Sequence, residues 1–246
     1  MRIEPNLYLI GSGANGFDLT NAYDCNIYLF RSGDEYVLFD AGAGMDVEKI
    51  LSVCQQDGIE RNRIRHLFLT HAHGDHSGGV AHLAEHFPFQ SYAGPDTARI
   101  VTDGDEDAVS LSHAREGGIY PANYIYRSHS IGHVLNHLDD IQIGNMSIET
   151  HFTPGHSHDH VSYLISGLND KRYLIGGDAI FYGGKIVLQN TYDCSVPLSI
   201  QSIQYLATLD FDALLAGHLN FSLQNGKRHV ESACAIIDQM GCPPSI

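Results

Sequence analysis

Apolar residues recur along this chain with two different periods, and each change of period marks a new element. Leu7-Tyr8-Leu9-Ile10 is a short apolar run that reads as a strand. Residues 26–30 and 36–39 are β-rich and flank Ser32-Gly33-Asp34, the pattern of a hairpin. Over 46–57 the apolar positions Val47, Ile50, Leu51 and Cys54 follow helical spacing. Residues 64–69 return to a strand pattern, and 77–86 read as a helix. The second half repeats the theme. Strands are expected at 141–143, 147–152, 161–165, 173–175 and 213–216, and helices at 198–209 and 227–240. Two β-rich halves, each followed by helices, predict two sheets packed face to face with helices outside.

The stretch from about 94 to 130 departs from this rhythm. It is rich in Asp, Gly, Ser and Tyr, and a helix is expected around 105–115. It reads as an insertion over one end of the sheets, where loops on a rigid scaffold often select substrate. A helical decoration with no part in binding is the plainer alternative. Gly11-Ser12-Gly13-Ala14-Asn15-Gly16 satisfies a dinucleotide-binding spacing. That motif requires a helix to start there, and residues 17–24 are turn-like instead. The glycines are expected to form a flexible loop, and no dinucleotide is expected.

Composition narrows the chemistry. A chain of 246 residues with 43% apolar content fits one globular domain. The net charge of −15, from 14 Lys and Arg against 29 Asp and Glu, disfavours a nucleic-acid partner. The densest basic stretch, Arg61 to Arg65, is short and reads as a solvated turn. The first residues lack a signal-peptide pattern, and no apolar run is long enough for a membrane span. Five scattered cysteines (Cys25, Cys54, Cys194, Cys234, Cys242) fit reduced thiols, and a cytoplasmic location is expected.

One segment concentrates metal-binding side chains. His71-Ala72-His73-Gly74-Asp75-His76 directly follows a strand. Histidines two apart on extended backbone point the same way, and a turn at Gly74 can bring Asp75 and His76 to a second centre. Imidazole and carboxylate are ligands for zinc, iron and manganese. Three further strands each end in glycine and one donor: Thr153-Pro154-Gly155-His156, Ile175-Gly176-Gly177-Asp178 and Leu215-Ala216-Gly217-His218. Glycine allows the tight turn that would let each donor face inward.

These motifs, spread from Asp40 to His218, resemble those of the metallo-β-lactamase-fold superfamily, whose signature H-x-H-x-D-H is matched by residues 71–76. The resemblance implies an α/β, four-layer αββα sandwich in a single domain, 1–246, with the insertion at about 94–130. It implies one metal on His71, His73 and His156, a second on Asp75, His76 and His218, and Asp178 bridging them. Asp40, in Phe39-Asp40-Ala41-Gly42, is similar to the family's early buttressing aspartate. The bridging aspartate is like that of the glyoxalase II and lactonase branches.

Two divalent ions are therefore expected, zinc first, with iron or manganese as alternatives. Such a pair lowers the pKa of a bridging water so that a hydroxide can attack a carbonyl carbon. The expected activity is hydrolysis of a small-molecule lactone, ester or thioester. Asp75, Asp40 and Tyr182 are the candidate catalytic residues, with Asp75 both binding metal and orienting the nucleophile. Lactonases place a tyrosine where this chain has Phe181, with Tyr182 next to it, which weakens a homoserine-lactone reading. Only Lys227 and Arg228 follow His218 as positive charges, which weakens a glutathione reading. A mononuclear-iron persulfide dioxygenase, with iron on His71, His156 and Asp178, is the alternative enzyme. A nuclease and an inactive scaffold rank below it. His158 and His160 are read as supporting or surface residues, with His160 similar in place to a second histidine of glyoxalase II-like chains. His113, His129, His133 and His137 are read as solvated. The expected partner is a small molecule, with no nucleic acid and no membrane, and a homodimer is the assembly considered.

Overall fold

The computed structural model describes residues 1–246. Its backbone contacts divide into two compact units, 1–135 and 136–246. No helix is long and apolar enough to cross a membrane.

The first unit opens with strands β1 (Arg2–Glu4), β2 (Leu7–Gly11), β3 (Ile27–Ser32) and β4 (Glu35–Phe39). These pair in sequence as an antiparallel meander. Gly33 makes the β3–β4 turn at φ 62°. Helix α1 (Val47–Gln56) then crosses to β5 (Ile64–Phe68), which lies parallel to β4. Two single-turn helices follow, α2 (Gly74–Ser77) and α3 (Val80–Leu83). Next come β6 (Gln90–Ala93), α4 (Pro95–Asp103), α5 (Leu111–Glu116) and the two-residue edge strand β7 (His133–Val134). The result is one mixed seven-stranded sheet in the order β1 to β7, with β4 to β7 parallel.

Both faces of its central strands are buried, as continuous apolar runs require. Leu29, Leu38 and Leu67 share a core with Ile50, Leu51 and Cys54 of α1 and with Val80 and Leu83 of α3. The opposite face carries an aromatic ladder. Phe39 stacks on Phe68 (centroids 5.5 Å apart), Phe68 on Tyr92 (4.4 Å) and Tyr92 on His133 (4.6 Å). Offset stacks of this kind add to area burial.

The second unit is a five-stranded sheet: β8 (Asp140–Ile143), β9 (Met146–Phe152), β10 (Val161–Leu168), β11 (Lys171–Gly177) and, after helix α6 (Val196–Leu206), β12 (Ala213–Ala216). Its order is β12-β11-β10-β9-β8. All pairings are antiparallel except β11 with β12, which run parallel because α6 provides the crossover. Helix α7 (Lys227–Asp238) closes the unit. Leu164, Leu174 and Leu214 of the sheet pack with Ile203 and Leu206 of α6 and with Val230 and Ala233 of α7.

Three local expectations change. The helix expected at 77–86 begins earlier, at Gly74, and is interrupted at Gly78-Gly79. The helix expected around 105–115 starts only at Leu111. A second helix, α4, precedes it, with Pro95 in its first turn and Gly104 ending it at φ 65°. The Gly11–Gly16 stretch precedes no helix, as expected, but it is held by bonds. Ser12 Oγ donates to Asn26 Oδ1 (2.7 Å) and accepts from the Phe17 amide (2.7 Å). Thr20 Oγ1 donates to Asp24 Oδ2 (2.6 Å), and Asp24 Oδ1 accepts from the Ala43 amide (2.8 Å).

Candidate metal centre

In the first unit, the parallel pair β4 and β5 ends at one edge and delivers Asp40 and the 71–76 segment side by side. The Asp40 amide donates to Phe68 O (2.9 Å). Asp40 has a left-handed backbone (φ 59°), a conformation that Asp and Asn accept more readily than other non-glycine residues. Gly42 is also left-handed (φ 71°), and a Cβ there would lie 2.6 Å from Asp24 Oδ1. This sharp turn brings the Ala41 amide to His76 O (2.7 Å).

The Asp40 carboxylate is buried and organises two imidazoles. Its Oδ2 lies 2.8 Å from His76 Nδ1. A carboxylate only accepts, so His76 carries its proton on Nδ1 and Nε2 is the basic nitrogen. Asp40 also takes the Thr70 amide (2.8 Å) and the Thr70 hydroxyl (2.9 Å to Oδ2). The hydroxyl has spent its proton there, so at 3.0 Å it accepts from His71 Nδ1. His71 is thereby fixed in the same tautomer. His71, His73 and His76 are all buried and their rings adjoin, with His71 4.7 Å from His73 and 4.1 Å from His76 between centroids. Asp75 is partly exposed, with Oδ2 3.7 Å from His76 Nε2.

Cys25 forms a donor group with Asp40 and His76. Burial pushes its thiol up to about 12, so it stays protonated and packs as a small apolar group.

Sequence reasoning missed the tyrosines of the 94–130 segment. Tyr120 Oη donates to Asp75 Oδ1 (2.8 Å) and accepts from the Asp75 amide (3.0 Å). Tyr124 Oη donates to Ala43 O (2.9 Å), and Tyr126 Oη pairs with Ser77 Oγ (2.6 Å). The only signal in the sequence was the tyrosine richness of that stretch.

In the second unit, Asp178 follows β11 and His218 follows β12, again a parallel pair ending together. The Gly217 amide donates to Gly177 O (2.7 Å) and ties the two ends. Gly155 (φ 147°) and Gly177 (φ 48°) use backbone that glycine favours, as expected from the sequence, while Gly217 does not. Leu219, directly after His218, is held at φ 57°, a strained conformation of the kind that clusters at functional sites. His156 Nε2 and His218 Nε2 lie 3.5 and 3.4 Å from the same Asp178 oxygen, Oδ2. All three residues are buried.

These distances exceed the 2.7–2.9 Å typical of charge-assisted hydrogen bonds. Taken pair by pair, they match the roughly 3.3–3.6 Å edge of a tetrahedron of donors about 2.0–2.2 Å from a cation. The buried imidazole and carboxylate set fits a divalent cation.

His160 positions Asp178. The Asp178 amide donates to His160 Nε2 (3.0 Å), so the His160 proton sits on Nδ1, facing Thr153 Oγ1 (2.9 Å). His158 is exposed. Phe181, not Tyr182, adjoins His218 (centroids 6.3 Å apart). Tyr182 lies against α7: its ring is 4.3 Å from that of His229 and its hydroxyl accepts from Arg228 (3.3 Å). Tyr192 is 65% exposed. His113, His133 and His137 are exposed, although His133 stacks on Tyr92, and His129 is half-buried.

The model of the metallo-beta-lactamase superfamily matches residues 20–218, most of the chain. A probable metallo-hydrolase, YqgX, of Bacillus subtilis (strain 168) is 29% identical over 159 residues, covering 65% of this chain and 67% of that protein. A hydroxyacylglutathione hydrolase of Xanthomonas euvesicatoria is 25% identical over 206 residues, covering 83% of this chain and 64% of its own length. The chain thus spans about two thirds of the length of these relatives. Among solved structures, a metallo-β-lactamase of Cronobacter sakazakii shares the fold, with a TM-score of 0.74 at 19% identity over 98% of this chain and 93% of that one. The family and the histidine–aspartate clusters together imply divalent metal ions. This chain, with its two mixed sheets and strand-end donors, belongs to the metallo-beta-lactamase superfamily and to the metallo-hydrolase class of its relatives.

Proposed function

We propose that the protein hydrolyses a carbonyl ester-type bond of a small molecule, whether lactone, ester or thioester, at a two-metal site. One metal is held by His71, His73 and His156, the other by Asp75, His76 and His218, with Asp178 shared. Zinc suits this donor set best, and iron or manganese are acceptable to it.

The observation that carries this reading is the placement of two imidazole nitrogens at 3.4 and 3.5 Å from one carboxylate oxygen of Asp178. A charge-assisted hydrogen bond would be shorter, whereas both spacings suit an imidazole and a carboxylate oxygen that share a cation, His156 with Asp178 on one metal and His218 with Asp178 on the other. The tautomer control by Asp40 supports the reading, because it makes Nε2 the ligating atom of both His71 and His76. The match to a hydroxyacylglutathione hydrolase supports an acyl substrate.

Bound there, a pair of divalent cations supplies Lewis acidity and a nucleophile at neutral pH. The residues do the rest. Asp40 keeps His76 in one tautomer and, through Thr70, does the same for His71. Asp75 offers one oxygen to a cation and can orient the attacking water by accepting its hydrogen bond. Asp178, held by His160, keeps its carboxylate between His156 and His218. The acidic balance of the chain disfavours polyanionic substrates.

The test is a panel of lactones, thioesters, phosphodiesters and a persulfide assayed on protein of measured metal content, with oxygen uptake followed in parallel. Hydrolysis of a carboxylic ester or thioester that is lost together with metal in His73→Ala supports the proposal. Oxygen consumption on a persulfide, or full activity in His73→Ala, refutes it.

A further inference from the structure

Tyr120 sits 45 residues downstream of Asp75, yet its hydroxyl makes two bonds to that one residue. A phenol has one proton and an amide can only donate. With the Asp75 N–H pointing at the oxygen (3.0 Å), the phenolic proton goes to Asp75 Oδ1 (2.8 Å). The ring has little freedom to do otherwise. It is buried, stacked on Tyr124 at 4.9 Å and packed against Tyr23 at 5.9 Å.

One hydroxyl therefore holds both the backbone amide of Asp75 and one oxygen of its carboxylate. Oδ1 is occupied by the phenol, and Oδ2 is the oxygen on the side of His76 Nε2 (3.7 Å). A ligand restrained in this way offers one oxygen to a cation. It also loses little rotational freedom on binding, which favours affinity. The adjacent Tyr124 provides an internal comparison, because its hydroxyl bonds only the backbone carbonyls of Ala43 and Gly74.

We propose that Tyr120 is a positioning residue for Asp75, fixing that carboxylate as a one-oxygen metal ligand through its hydroxyl. This rests on the metal-site reading above. It gives the 94–130 segment a part in setting metal affinity, apart from any contact with substrate.

The experiment compares wild type, Tyr120→Phe, Tyr124→Phe and Asp75→Asn. Zinc affinity is measured by chelator competition, the rise in Tm on adding zinc by thermal unfolding, and the Co2+-substituted forms by visible absorption. Tyr120→Phe should bind zinc about 10–100-fold more weakly, as loss of an outer partner typically does. It should show a smaller zinc-induced rise in Tm and an altered cobalt spectrum. Tyr124→Phe should lower the Tm of the metal-free protein and leave zinc affinity and the cobalt spectrum unchanged. The zinc-induced rise is a difference, so it remains readable if Tyr120→Phe is less stable to begin with. Wild-type affinity and spectrum in Tyr120→Phe, with Asp75→Asn impaired, would overturn this inference and leave the metal site standing. An Asp75→Asn variant that binds zinc like wild type would overturn both.

Discussion

Asp40 Oδ2 and His76 Nδ1 lie 2.8 Å apart, both buried, and the contact determines which nitrogen of His76 is basic. Replacing the carboxylate should therefore be read in metal affinity before anything else. Asp40→Asn keeps one of the two accepting oxygens and a residue type that tolerates φ 59°, so it removes the charge and one acceptor without backbone strain. It should weaken zinc binding by about tenfold, at the low end for outer partners. Asp40→Ala removes the acceptor as well and should approach about 100-fold. It should also lower the stability of the metal-free protein by about 1–2 kcal/mol through backbone strain. Chelator competition and urea unfolding measure the two effects separately. Unchanged zinc affinity in Asp40→Ala would remove the orienting role.

His160 accepts the Asp178 amide and faces Thr153. Truncation to His160→Ala leaves that buried amide without its acceptor. The expected loss is about 1–3 kcal/mol in urea unfolding of the metal-free protein. His160→Gln, which retains an acceptor, should recover part of it. Equal stability in all three proteins would show that the bond carries no weight.

Gly79 has ordinary helical backbone, so its need for glycine is steric. A Cβ there would press against the carbonyl of Ala41 in the turn after Asp40. Gly79→Ala should cost about 1–3 kcal/mol, the usual range for overpacking. Gly58→Ala is the contrast: it has open space but φ 67°, so any cost there is conformational. A neutral Gly79→Ala in chemical denaturation would contradict the close approach of the two segments.

His151 is buried on β9, bonded through Nδ1 to the Tyr205 hydroxyl (2.8 Å). Burial, then the nearby charges of His137 and Arg172, push its pKa down from 6.5 to about 4. The unfolded chain therefore takes up the proton first as pH falls. Stability contributed by neutral His151 is complete above about pH 6.5, declines between about 6.5 and 4, and levels off below. The slope in that window is at most about 1.4 kcal/mol per pH unit. In His151→Gln this component should vanish, so the stability gap between the two proteins should change across pH 6.5 to 4. Parallel stability curves would exclude the linkage.

Most strands were legible because their apolar runs are dense and bounded by glycine or polar turns, as at 26–39 and 161–175. The edge strand β7 was not, since His133 and Val134 are both exposed and carry no burial pattern. Strand β6 hid for another reason: its run, Gln-Ser-Tyr-Ala, is short and holds no β-branched residue, although three of its four residues are buried. The donor residues stood out because each follows a strand and, for His156, Asp178 and His218, a glycine. Their supporting partners did not. Thr70 and Tyr120 are ordinary residue types whose role comes from a hydroxyl placed by tertiary packing, and no local spacing encodes that. Tyr182 drew notice by its place next to Phe181, yet its hydroxyl is taken up by Arg228.

Each unit uses one device: neighbouring parallel strands stop at a common edge, β4 with β5 presenting Asp40 beside the 71–76 segment and β11 with β12 presenting Asp178 beside His218. The main-chain ladder, about 4.8 Å from strand to strand, sets where these side chains start, and in the second unit they close to 3.4 Å between Asp178 and His218. The places of these side chains are therefore set by peptide geometry, ahead of any ligand. A one-residue slip in either ladder would turn them away from that edge.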